Sequence, residues 1–118
     1  MLSSLFRSTP RPDPRALVKR AEAGEIVVLD VREAAEIAAS GKAAVAHHVP
    51  MATLRMKADP RSPDCLPALK QGKPVAIYCA AGGRAGMAKG VLEQLGHAEV
   101  HNLGGFGDWQ AAGGKTGR

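Results

Sequence analysis

From Glu25 to Arg32 the chain reads Glu-Ile-Val-Val-Leu-Asp-Val-Arg, a largely β-branched run without regular polar alternation. A strand with one wet face alternates polar and apolar residues. This one does not, which predicts a strand buried on both faces, as in a parallel α/β sheet. A second run, Pro74-Val75-Ala76-Ile77-Tyr78, also reads as a buried strand. Helical patterns lie around the two runs. Asp13-Pro14 reads as an N-cap with proline at the first helical position, Leu17, Val18 and Ala21 form an apolar stripe, and Gly24 fits the stop. Glu33 to Ala39 predicts a short helix ending at Ser40-Gly41. Ala88, Val91, Leu92 and Leu95 fall on one face of another, with Gly96 as its stop. Strands alternating with helices through short links predict an α/β fold. Its mostly parallel sheet has about five strands and helices on both faces.

Other segments complete the order. Val45 to Val49, closed by Pro50, predicts a short strand, and Ala52 to Met56 a helical turn. Lys57 to Pro67 contains Asp-Pro, Ser-Pro and Pro-Asp pairs and predicts a long loop. Ala98 to Leu103 predicts the last strand, and Phe106 to Ala112 a short last helix anchored in the core by Trp109. Residues 1–12 predict an irregular lead-in with a short edge strand near Leu5, residues 13–114 a single domain, and residues 115–118 a frayed tail. Aromatics make up only 3% of the 118 residues, so Ala, Val, Leu and Ile must build the core.

Sixteen basic against eleven acidic residues give a formal charge of +5, but the basic residues are scattered and no run of them is interleaved with aromatics. That pattern argues against nucleic-acid binding and fits a small anionic substrate. Two cysteines are too few for a disulfide framework, and Cys65, in a loop-like stretch, reads as an incidental thiol. Met1 to Arg7 has no basic region followed by a long apolar stretch, and no window reaches membrane-spanning length. The expectation is a cytoplasmic protein with no membrane partner. His47-His48 would face opposite ways on a strand and has no further ligand cluster, so no metal is expected.

The second run passes directly into Cys79-Ala80-Ala81-Gly82-Gly83-Arg84-Ala85, and a helical pattern follows. A strand, a turn of small residues and a helix start place the thiol in a cup of backbone N–H groups. Such a cup attracts negative charge and lowers a thiol from its ordinary pKa of about 8.5. Gly82 and Gly83 can supply the positive φ that a tight cradle needs. Ligands in such sheets bind beyond the carboxyl ends of the strands, where Cys79 and Asp30 both stand. Cys79 is therefore a candidate nucleophile.

Cys79-Ala80-Ala81-Gly82-Gly83-Arg84 resembles the Cys-x-x-Gly-x-Arg active-site loop of rhodanese-like sulfurtransferases. Val28-Leu29-Asp30-Val31-Arg32-Glu33, with Glu36 following, is similar to the family's Asp-Val-Arg-Glu segment. Val100 to Trp109, with Asn102-Leu103-Gly104-Gly105, is similar to its closing signature. One segment departs: the family's Gly-His-Ile-x-Gly-Ala is here Gly41-Lys42-Ala43-Ala44-Val45-Ala46.

The resemblance implies a rhodanese-like domain and a thiosulfate-sulfurtransferase type of activity through a persulfide on Cys79. Residues Ala80, Ala81, Gly82, Gly83, Arg84 and Ala85 would form the substrate cradle, with Asp30, Arg32 and Glu36 in support. The implied partners are a small anionic sulfur donor and a thiol or protein acceptor, with no cofactor. Arg84 reads two ways, as an anion-attracting residue at the mouth or as a brace paired with Asp30 or Glu36. A persulfide carrier or interaction module with little thiosulfate turnover is the alternative. A Cys-dependent phosphatase or arsenate reductase is a weaker one, because those relatives carry Cys-x₅-Arg and this chain Cys-x₄-Arg.

Overall fold

The computed structural model describes residues 12–118. In chain order the elements are α1 (Pro14–Glu22), β1 (Val27–Asp30), α2 (Ala34–Ser40), β2 (Lys42–Ala43), β3 (His47–His48), α3 (Leu54–Ala58), β4 (Val75–Cys79), α4 (Gly83–Gln94), β5 (Val100–Gly105), α5 (Phe106–Ala111) and β6 (Thr116–Gly117). Single 3₁₀ turns stand at Met51–Thr53 and Pro67–Lys70. Four strands form one parallel sheet in the order β3-β1-β4-β5. The edge strand expected near Leu5 lies outside the described residues.

Both apolar runs are central strands, and every residue of β1 and β4 is buried. Alternate side chains leave a strand on opposite faces. Val27, Leu29, Val75, Ile77 and Cys79 therefore pack on one side with Leu54, Ala88 and Leu92 of α3 and α4. Val28, Ala76 and Tyr78 pack on the other with Leu17 and Val18 of α1 and Trp109 of α5. Each fully buried Leu or Ile contributes about 1.5–3 kcal/mol, so two such layers hold the sheet without a large aromatic core. Helix α1 begins as its sequence predicts: the Asp13 carboxylate accepts the Arg15 N–H at 3.0 Å, and Pro14 follows at the first helical position. Helix α2 buries none of its residues and lies outside both layers.

Three local expectations differ from the structure. The strand expected over Val45–Val49 shrinks to His47–His48, because a turn closed by the Ala46 N–H on the Ala43 carbonyl (3.0 Å) precedes it. The loop from Lys57 to Pro67 starts inside α3 and is tied by its own turns, with the Leu66 N–H donating back to the Lys57 carbonyl at 2.9 Å. The tail expected to fray over residues 115–118 is instead paired: Lys42 aligns with Gly117 and Ala43 with Thr116 in an antiparallel ribbon, β2 with β6. Three further bonds hold it. Trp109 Nε1–H donates to the Lys115 carbonyl (2.9 Å), the Lys115 N–H donates to Glu22 (3.0 Å), and Arg118 donates to the Ala38 carbonyl (3.0 Å).

Candidate active site

Strand β4 ends at Cys79, and three residues later Gly82 stands at φ +109° as the N-cap of α4. Only glycine takes that backbone angle readily, and it turns the chain so that the first amides of α4 point back at the sulfur. Cys79 Sγ accepts N–H bonds from Gly82 at 2.9 Å and Ala85 at 3.4 Å. Burial pushes the Cys79 thiol up, but the N–H groups of Ala85, Gly82, Ala81 and Arg84 together outweigh it and bring the thiol below its ordinary value. Amides directed at one buried atom favour its anion without a cation beside it.

The cradle is held from two sides. From α2, Glu36 receives both terminal nitrogens of Arg84, Nη1–Oε1 at 2.7 Å and Nη2–Oε2 at 2.9 Å. From β5, Asn102 Nδ2 donates to the Gly82 carbonyl at 3.1 Å, while its Oδ1 accepts the Gly104 N–H at 2.8 Å. The pairing of β4 with β5 shifts register by one residue between Ile77 and Tyr78, so that Cys79 lies opposite Gly105 rather than Gly104. Gly105 then runs so close to the loop that a Cβ there would collide with the Ala80 carbonyl. The Gly105 N–H is capped by the Asp108 carboxylate at 2.7 Å. Asn102, Gly105 and Asp108 were not singled out as site residues. Their signal lies in the Val100–Trp109 segment that resembles the family's closing signature.

A sequence model of the rhodanese-like domain matches residues 13–112. This chain belongs to the rhodanese-like domain family. Among solved structures it is similar to a Rhodopseudomonas palustris protein of unknown function, named as a possible tyrosine phosphatase. The two are 25% identical with a TM-score of 0.70, over 95% of this chain and 99% of that one. It is similar also to a rhodanese-like domain from Anabaena sp., 26% identical with a TM-score of 0.72, over 93% of this chain and 80% of that one. The human single-domain sulfurtransferase shares the fold at 22% identity and a TM-score of 0.63, over 88% of this chain and 97% of that one. No curated protein sequence matches.

The rhodanese-like frame separates the remaining predicted residues. Asp30 aligns with Tyr78 and shares its face of the sheet, the one opposite the Cys79 side chain. There Arg32 binds both Asp30 oxygens (Nε at 3.0 and 3.1 Å, Nη2 at 2.8 Å), and also Ser40 Oγ (2.9 Å) and the Gly41 carbonyl (2.8 Å). Its guanidinium lies 4.6 Å from the Phe106 ring centroid. Both residues are buried. Removing one partner of such a pair leaves an uncompensated buried charge, at a cost of about 3–5 kcal/mol. The pair ties the end of β1 to the end of α2 and touches neither the sulfur nor its amides.

Glu36 is different, because it bonds directly to the loop. Arg84 and the Glu33 N–H hold its carboxyl down at about 2. Among the described residues no group of three His, Cys, Asp or Glu could hold a metal, and His48 Nε2 lies 2.7 Å from the Arg32 carbonyl. No helix among them is long and apolar enough to cross a membrane.

Proposed function

We propose that the protein is a sulfurtransferase that carries a sulfane sulfur as a persulfide on Cys79. The observation that carries this reading is the cradle, in which Cys79 Sγ accepts the Gly82 and Ala85 N–H groups at a helix start and its thiol is lowered. The Cys79 thiolate attacks the outer sulfur of a donor, thiosulfate in the assay. The donor S–S bond breaks, and its electron pair leaves with sulfite. The persulfide sulfur then sits among the amides of residues 80 to 85. An acceptor (cyanide in the assay, a thiol or protein in the cell) takes it and regenerates the Cys79 thiolate. Two half-reactions of this kind give ping-pong kinetics, and neither needs a metal or organic cofactor.

In this reading Ala80, Ala81, Gly82, Gly83, Arg84 and Ala85 are the cradle. Glu36 positions it through Arg84, and Asp30 and Arg32 support it from the other face of the sheet. A donor-dependent one-sulfur mass adduct on Cys79, together with thiosulfate:cyanide turnover that Cys79→Ser abolishes, is the expected result. Full turnover in that variant would remove Cys79 from the mechanism. Phosphatase chemistry is disfavoured because the arginine that would grip an oxyanion is already gripped by Glu36. The possible-phosphatase name of the Rhodopseudomonas palustris neighbour makes p-nitrophenyl phosphate the check, with no hydrolysis expected.

A further inference from the structure

Tyr78 stands one residue before Cys79, and its side chain leaves β4 on the opposite face of the sheet. The backbone is least secured at this point. On one side the β4–β5 ladder slips by one residue between Ile77 and Tyr78, which disrupts strand pairing locally. On the other side the pairing with β1 stops at Tyr78, opposite Asp30, so Cys79 has no partner there. The fully buried Tyr78 side chain supplies a different hold. Its hydroxyl accepts the Ala43 N–H of β2 at 2.9 Å, and its ring stacks on Phe106 with centroids 5.8 Å apart. Burial and the neighbouring Asp30 carboxylate push the hydroxyl up, so it keeps its proton.

The far end of this strut is the C-terminal tail. Ala43 pairs with Thr116, and the Ala44 N–H donates to the Lys115 carbonyl at 2.8 Å. The same carbonyl accepts Trp109 Nε1–H at 2.9 Å, while the Lys115 N–H donates to Glu22 at 3.0 Å. The backbone of Lys115 thus joins β2, α5 and α1. Resting on the reading of Cys79 as the nucleophile, we infer that Tyr78 is a positioning residue. Its hydroxyl pins the slipped end of β4 to the β2–β6 ribbon, and the C-terminal tail thereby keeps Cys79 Sγ directed at the Gly82 and Ala85 amides. Without the pin, the last peptide of β4 turns the sulfur away from amides that α4 holds fixed. Fewer N–H groups then favour its anion.

The test is the pH midpoint of Cys79 alkylation by iodoacetamide in the folded full chain, mapped by peptide with Cys65 as the internal control. Tyr78→Phe keeps the ring and loses the hydroxyl. It is expected to raise the midpoint by about half a pH unit, a roughly threefold loss of thiolate at lower pH. Gly114→Ala drives a methyl against the Trp109 ring and should lift the tail. Trp109 is the only tryptophan, so a red shift of its emission reports the release, and the Cys79 midpoint should rise with it. Glu22→Ala, on the exposed surface, removes one tie on Lys115 and should give the smallest rise. A hydroxyl with a structural role alone would lower the urea midpoint and leave the alkylation midpoint where it is. That result in Tyr78→Phe would overturn the inference, as would a Gly114→Ala protein whose emission shifts while Cys79 does not. If Tyr78→Phe fails to fold, Gly114→Ala and Glu22→Ala decide, and unmoved midpoints in both would overturn it. Full sulfur transfer by Cys79→Ser would instead overturn the reading beneath, whatever the alkylation shows.

Discussion

Cys65 and Cys79 are both buried, at 5% and 1% exposure, and both belong to the hydrophobic layer under α3 and α4. Their chemistry points in opposite directions. Burial pushes the Cys65 thiol up, Lys70 and Asp59 acting against each other as smaller influences, and its S–H lies 3.5 Å from the Leu66 carbonyl, where it donates. Cys79 accepts N–H groups, and its thiol is brought down. Depth is the same in both cases, so depth does not make a reactive cysteine. What separates them is whether the nearest backbone presents C=O or N–H to the sulfur.

The largest effect should come from exchanging each sulfur for oxygen. Cys79→Ser is expected to cost on the order of 10³-fold or more in sulfur transfer and to abolish the adduct. Cys65→Ser should keep both, read by the same assay and mass spectrum. Comparable losses in the two variants would erase the distinction.

Next come the glycines that permit the cradle. Gly105→Ala drives a methyl into the Ala80 carbonyl. It should destabilise the fold by about 1–3 kcal/mol in urea melts and raise the pH midpoint of Cys79 alkylation towards that of an ordinary thiol. Asn102→Ala removes a tie on Gly82, with an expected loss of about 1 kcal/mol and a smaller alkylation shift in the same direction.

A comparison without mutation follows from the thiol shifts themselves. Iodoacetamide labelling of the folded protein across pH, with peptide mapping, should give Cys79 a midpoint below that of free cysteine. Cys65 should label at higher pH and slowly. The reverse order would contradict the amide argument.

The smallest effect lies at the rim. The Glu36 carboxyl is depressed from 4.5 to about 2, so its contribution to stability is complete above about 4.5 and is lost as pH falls towards 2. The pair is a third exposed on both sides, so solvent screening keeps its worth to about 0.5–1 kcal/mol. Glu36→Gln should therefore flatten a small part of the acid limb of a stability-against-pH curve and leave the fold intact.

How much of this was legible from the residues depends on reach. The burial of Val27–Asp30 and Val75–Cys79 on both faces, the Asp13-Pro14 helix start and the Cys79 turn are written within a few neighbouring positions, and all three stand in the structure. The two readings of Arg84 could not be separated locally. Strand alternation decides between its possible partners, since Asp30 points to the wrong face and Glu36 does not. Gly105 was harder still. Its closeness to Ala80 exists only because the β4–β5 ladder slips by one residue, and no local pattern announces a slip between strands so far apart in the chain. The order of the tail is not legible in its own residues for a related reason. Gly113, Gly114 and Gly117 have no propensity for order, and their order is borrowed from Trp109, Glu22 and the β2 backbone.

That borrowed order has a consequence for inheritance. A Cβ on Gly41 would strike the Gly117 carbonyl, and Gly114 lies directly against the Trp109 ring. The segment that departs from the family's usual motif, Lys42 to Val45, thus shares a ribbon with residues outside the matched span of 13–112. The two stretches pack as one unit, and substitutions at 41–43 and at 115–117 are expected to covary among relatives. A chimera that restores the usual motif but keeps this tail would put isoleucine at the fully buried position of Ala43 and should strain the ribbon there, next to the N–H that donates to the Tyr78 hydroxyl one residue before the reactive cysteine.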